Sequence, residues 1–135
     1  MGYTHYYEAN RPLDGDERRN LGDAIERIVE TTDVPLAGWD GTGEVKFSGQ
    51  GVTLNGVDDD GHETFTFPVG ENFNFCKTAY KPYDEVVTAI LIAADTLCPG
   101  AFRISSDGNA EEWSPGLELA RRALNRTDLK VPDGV

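Results

Sequence analysis

The sequence predicts a single α+β domain, with three helices, one of them buried, packed on one face of a mainly antiparallel sheet of about five or six short strands. Three observations point there. Apolar residues recur at helical spacing around Leu21, Ala24, Ile25 and Ile28, and again around Leu117, Ala120 and Leu124. The stretch from Val86 to Ala94 is apolar except for Thr88, as a helix surrounded by protein would be. Between residues 34 and 75, glycines at 38, 41, 43, 49, 51, 56, 61 and 70 punctuate short β-rich runs, the pattern of strands joined by tight turns. With 135 residues, 39% of them hydrophobic, the chain has enough apolar material for one core.

Taken in order, Tyr3, Thr4, His5, Tyr6 and Tyr7 are aromatic or β-branched and read as a first strand, broken at Asn10, Arg11 and Pro12. Asp14 or Asp16 then caps an amphipathic helix whose buried stripe is Leu21, Ala24, Ile25, Ile28 and Val29. Residues 43–47, 51–55 and 63–67 form a three-stranded meander. Gly49-Gln50-Gly51, Asn55-Gly56 and Asp58-Asp59-Asp60-Gly61 supply its turns and their positive φ angles. Phe73 and Phe75 flank Asn74 in another extended piece. Pro82 suits the first turn of the buried helix, where Asp84 and Glu85 match the helix dipole, and Cys98-Pro99-Gly100 ends it. Residues 101–105 read as a last strand, leading through Ser106-Asp107-Gly108 to an amphipathic helix over 111–123, with Ser114-Pro115 at its first turn. Trp39 and Trp113 are expected to cap the core. Residues 126–135 are expected to be a polar tail that frays.

Composition limits function. Against 24 acidic residues stand 12 basic ones, giving a net charge of -12. Such a surface suits high salt and argues against duplex nucleic acid as a partner, because phosphate binding draws on a basic surface. No signal peptide or membrane span is legible, so a soluble, cytoplasmic protein with no membrane partner is expected. The two cysteines, Cys76 and Cys98, are expected to be reduced.

Few motifs carry chemistry. Gly41-Thr42-Gly43 lacks the third glycine and the following helix of a dinucleotide loop, and the Asp58–Asp60 run lacks the outer ligands of a calcium loop. His5, His62, Cys76 and Cys98 have no short metal-ligand spacing, so neither a metal nor a cofactor is expected. The notable feature is Phe75, Lys77, Tyr80, Lys81 and Tyr83, which places two of four lysines and three aromatics at the entrance of the buried helix. Ammonium groups, a helix N-terminus and flat rings are the parts that hold a phosphate and stack a base. Should the first and last strands be neighbours, His5, Tyr6, Arg103 and Asp107 would join the same mouth.

Three blocks in order also carry a resemblance: the Met1-Gly2-Tyr3-Thr4-His5-Tyr6 start, Phe75-Cys76-Lys77-Thr78-Ala79 with Lys81-Pro82-Tyr83-Asp84, and Arg103-Ile104-Ser105-Ser106-Asp107-Gly108. Over nearly its whole length the chain is similar to a group of small proteins of tailed phages, prophages and prokaryotic genomes. The resemblance implies a viral or mobile-element accessory gene and brings no mechanism with it. The resulting expectation is a non-enzymatic, homo-oligomeric binder of an anionic small molecule, a nucleotide signal of host antiviral defence being one instance. Lys77 and Lys81 would take phosphate, Tyr80 or Tyr83 would stack, and Arg103, His5, Tyr6 and Asp107 would complete the pocket. The alternatives are an acidic interaction protein, such as a minor virion component or protein decoy, and a small nucleotide-acting enzyme.

Overall fold

Described here, from a computed structural model, are residues 3–48, 51–68 and 73–135. They form an α+β domain of three helices and seven strands, the strands lying in two antiparallel sheets rather than the one expected. The first sheet has the order β6-β1-β7, from Phe73–Lys77, Thr4–Ala9 and Phe102–Ser106. In the second, β4 (Gly51–Gly56) pairs with β2 (Leu36–Ala37), β3 (Lys46–Ser48) and β5 (Phe65–Phe67). The meander expected from the glycine spacing is thus β3-β4-β5. The two-residue β2 is too short to show any alternation, so sequence reading passes over it.

Helix α1 (Gly15–Thr31) starts where a capping box closes its first turn. Asp14 Oδ1 accepts from the Glu17 backbone N–H at 2.8 Å, and the Asp14 N–H donates to Glu17 Oε1 at 3.1 Å. Arg11 grips the same carboxylate with two N–H bonds of 2.8 Å. These bonds, Arg11 first and the Asp14 backbone second, hold the Glu17 carboxyl down to about 2 from an ordinary 4.5. A depressed carboxyl contributes stability that is complete above its unfolded pKa and is lost as pH falls toward the folded one. Glu17→Gln should therefore flatten the melting-temperature profile between about pH 4.5 and 2 and leave its shape near neutrality unchanged. Parallel thermal melts of the two proteins check this, and superimposable acid limbs would refute it.

The buried stripe of α1, Leu21, Ala24, Ile25 and Ile28, packs on α2 (Asp84–Leu97) and α3 (Ser114–Leu124). Every residue of α2 from Val86 to Ala94 is buried, as its all-round apolar pattern requires. Helix α3 has Pro115 in its first turn and lies close against α2, so close that a Cβ at Gly116 would overlap Thr88. The two sheets meet where the Tyr7 ring makes edge contacts with Phe65 and Phe67, at 5.6 and 5.3 Å between centroids. No helix among the described residues is long and apolar enough to cross a membrane.

Three local expectations are corrected. Asn55-Gly56 is the end of β4 and not a turn, and neither residue has a positive φ. The buried Asn55 side chain instead orders the loop beyond it, donating to His62 O and Thr64 Oγ1 and accepting from Gly56 N and His62 N. The run Asp58–Gly61 does supply a positive φ, at Asp58, as expected, while the proposed turn at Gly49-Gln50 lies outside the described residues. Trp39 is 66% exposed, so only Trp113 is a core residue. The segment after Arg126 does not fray away: Leu129 is fully buried and its carbonyl takes two N–H bonds from Arg121, at 3.2 and 2.8 Å. Its polar composition hid the few apolar residues, Leu129 and Val131 among them, that pack on the core.

Candidate functional site

Strand β1 is the middle of the first sheet, and its alternation divides the candidate residues between two faces. Its register places His5 beside Cys76 and Ser106, Tyr6 beside Phe75 and Ser105, and Glu8 beside Arg103. The adjacency of the first and last strands is therefore real. It separates the candidates all the same, because directly paired residues share a face and neighbours along a strand do not.

The inner face carries Tyr3, His5, Tyr7, Cys76, Ile104 and Ser106 toward the core. His5 is fully buried, with both ring nitrogens engaged: Nδ1 with Ser106 Oγ at 2.7 Å and Nε2 with Asp84 Oδ1 at 2.5 Å. Counting hydrogens assigns the tautomer. A hydroxyl has one hydrogen and two lone pairs. Trp113 Nε1–H and Gly108 N–H both donate to Ser106 Oγ, at 3.1 and 2.9 Å, which fills the lone pairs. The Ser106 hydrogen then goes to His5 Nδ1, so the imidazole proton is on Nε2 and is donated to Asp84. Thr78 Oγ1 donates to the same Asp84 oxygen at 2.5 Å.

Ser106, His5 and Asp84 thus make a serine–histidine–aspartate set, yet one in which the serine oxygen has no lone pair left for attack. The set acts as a polar brace joining β1, β7, the turn before α2 and Trp113. The buried Tyr3 hydroxyl lies beside Ser106 without a hydrogen bond of full geometry, and burial, first, with the nearby Asp84 pushes its pKa up, against a smaller lowering from Ser106. It packs against Gly108, where any Cβ would overlap it.

The outer face is wet. Phe75 is 56% exposed and Arg103 is exposed, with Tyr6, Lys77 and Ser105 half-buried. Rows across β6, β1 and β7 read Lys77 and Thr4, then Phe75, Tyr6 and Ser105, then Glu8 and Arg103. Asp107 extends the first row past the end of β7, where its backbone N–H donates to Thr4 O at 2.9 Å. Its carboxylate accepts from Thr4 N and from Tyr6 Oη, both at 3.1 Å. Neither Lys77 nor Arg103 has an ion-pair partner among the described residues. Among the described side chains, this face carries the rings of Tyr6 and Phe75 in direct register, with a cation toward each end.

Lys77, Tyr6 and Arg103 are therefore brought to one face, with Asp107 at its rim, and the others are not. Tyr83 is fully buried and its hydroxyl donates to Glu63 O at 2.7 Å, so it stacks with no ligand; its place just before α2 turns it into the core. His5 is sealed in the brace, on the face opposite Arg103. Lys81 is half-buried in the turn before α2, away from the sheet rows. Tyr80, 67% exposed with a positive φ of 61°, stacks on Tyr3 at 3.9 Å and keeps one ring face outward. The start of α2 holds the carboxylates of Asp84 and Glu85, which repel the phosphate once assigned to it. Phe75, part of the sequence cluster, is the ring that the register sets beside Tyr6.

The thiols are withdrawn from chemistry. Cys76 and Cys98 are buried and unbridged, and burial pushes them up to about 12 and about 11. No group of side chains suited to a metal ion occurs among the described residues. A cleft of about 290 Å³ between the helices, lined by Asp23, Arg27, Leu97, Leu124 and Arg126 among others, includes no residue of the sheet face. No family model matches the chain, and no similar curated protein or solved structure is found.

Proposed function

We propose that this protein is a non-enzymatic binder of an anionic, base-bearing small molecule, a nucleotide, held on the outer face of the β6-β1-β7 sheet. The observation that carries the reading is the cross-strand pair Tyr6 and Phe75 on that face, with Lys77 and Arg103 nearby and without ion-pair partners among the described residues. Rings on the wet face of a sheet, Phe75 exposed and Tyr6 half-buried here, are the kind on which a base stacks, and an adjacent cation receives its phosphate. The saturated hydroxyl of Ser106 and the buried thiols favour binding over turnover. In the setting suggested by the sequence resemblance, capture of a nucleotide signal of host antiviral defence is the role such a face would serve, with a homo-oligomer as the acting form.

The test is a thermal-shift series with nucleoside mono-, di- and triphosphates on the wild type and on Lys77→Ala. A ligand at 100 times its dissociation constant adds about 2.7 kcal/mol, a rise of several degrees for a domain of this size. The rise should be confined to nucleotides and should shrink in Lys77→Ala, whose own melting temperature should stay within a few degrees of wild type, since the side chain is half-buried and has no ion-pair partner among the described residues. An unchanged melting temperature across the series would shift the reading to an acidic protein that binds a protein partner.

A further inference from the structure

We infer that the end of the second sheet, around Trp39, is an interaction surface for a basic, arginine-bearing segment of a partner protein. Of the two tryptophans, Trp113 is in the core, whereas Trp39 is 66% exposed, the largest ring left in water among the described residues. Its place is fixed by the backbone. Trp39–Gly41 is a short 3-10 turn in which Asp40 and Gly41 take positive φ angles of 62° and 84°. Trp39 O accepts from Thr42 N and Thr42 Oγ1, both at 3.2 Å, and the Gly38 N–H donates to Thr42 O at 3.0 Å. The Asp40 N–H donates to Thr64 Oγ1 at 2.9 Å, and the buried Asn55 donates to the same hydroxyl oxygen at 3.1 Å. A tryptophan on a turn tied down in this way loses little conformational freedom on binding, which is what makes such rings anchors of protein interfaces.

Charge selects the partner. Gly41 backs onto a second short turn, Asp58–Asp60: a Cβ placed on it would stand 3.3 Å from both Asp58 N and Gly56 O. The two turns together gather the exposed carboxylates of Asp40, Asp58, Asp59 and Asp60 about the segment that carries Trp39. None of these has an ion-pair partner among the described residues. Lys46, the single Lys or Arg between residues 34 and 62, pairs with Thr53 in the middle of β4, away from the turns at its end. An indole face attracts a cation, and a guanidinium can stack on it while its N–H groups reach carboxylates alongside. Arginine therefore satisfies the ring and the acids together. The acids lie on two turns, so a lone cation leaves most of them unmatched, and a polypeptide with several basic residues engages both. Phosphate is repelled here, which separates this surface from the outer face of the first sheet.

The probe is a fluorescein-labelled dodecapeptide of alternating arginine and glycine, followed by anisotropy at about 0.15 M salt, where charges more than about 8 Å away are largely screened. Trp39→Ala should weaken binding about 2- to 30-fold, the span of a cation–π contact from exposed to desolvated. Asp58→Asn/Asp59→Asn/Asp60→Asn should weaken it about tenfold, as loss of three surface pairs does. Asp23→Asn/Glu26→Gln/Glu111→Gln removes the same charge from exposed positions outside the two turns and should change it less than about twofold. All these positions are exposed, and asparagine tolerates the positive φ of Asp58, so circular dichroism and melting should match wild type. Peptide should also change the indole emission of wild type and not that of Trp39→Phe, where only the buried Trp113 remains. Equal weakening by the two triple variants would show attraction to net charge alone and overturn the site, as would Trp39→Ala with undiminished affinity. Spermine competing as well as the peptide overturns the polypeptide assignment, and a lysine–glycine peptide competing equally overturns the arginine one. A peptide that fails to bind folded wild-type protein overturns the inference outright.

Discussion

Replacing Trp113 by alanine should cost about 4 kcal/mol of unfolding free energy, the largest loss expected from one side chain here, and lower the melting temperature by roughly 15 °C. Trp113 is fully buried, meets the His5 ring edge-on at 5.0 Å, and donates its indole N–H to Ser106. Alanine leaves a large cavity and removes one of the two donors that fix the Ser106 hydroxyl. Trp113→Phe keeps most of the ring volume and loses the donor, so it should cost about 1 to 2 kcal/mol. Urea denaturation of both variants measures this. In a Trp39→Phe background Trp113 is the sole indole, and its emission should be blue-shifted until the protein unfolds. A Trp113→Ala protein within 1 kcal/mol of wild type would mean that the brace carries little of the stability, on the scale of about 3 to 5 kcal/mol expected for such truncations.

The second large effect is expected at Asp84. Its Oδ1 is the single acceptor for both His5 Nε2–H and the Thr78 hydroxyl. Asp84→Ala leaves two buried donors without a partner, at about 1 to 3 kcal/mol each, so a loss of about 3 kcal/mol overall is expected. Asp84→Asn supplies a carbonyl oxygen in the same place, which has two lone pairs for the same two donors, and should lose only about 1 kcal/mol. The contrast between these variants tests the tautomer assigned to His5. If the imidazole proton were on Nδ1, Nε2 would face Asp84 as an acceptor, and Asn, able to turn its NH2 toward it, would stabilise relative to wild type.

Much of this architecture is legible in the chain. The apolar period of α1, the unbroken apolar run of α2 and the Ser114-Pro115 start of α3 are local signals, because a helix buries a stripe set by its own 3.6-residue repeat. Alternation in β1 and the glycine-punctuated meander are also local. What escaped, the division into two sheets, β2 and the folded-back tail around Leu129, depends on partners distant in sequence.

The candidate site divides along the same line. The cluster Phe75 to Tyr83 drew attention by composition, and two of its members, Phe75 and Lys77, do lie on the wet face. The other three part company where the chain leaves β6: Tyr83 enters the core, Lys81 stays in the turn and Tyr80 leans on Tyr3. The brace of Ser106, His5, Asp84, Thr78 and Trp113 was not legible as a unit, since its members are up to 108 positions apart.

By itself, then, the sequence determined that this is an acidic α+β domain with a buried second helix, and that aromatic and basic residues gather around residues 75–83. Only the tertiary structure decided which of them face water. A side chain's face is set by strand parity, and parity acquires meaning once the register of β6 and β7 on β1 is fixed. That register put His5 and Ser106 inside, bonded to each other, and Tyr6, Phe75, Lys77 and Arg103 outside.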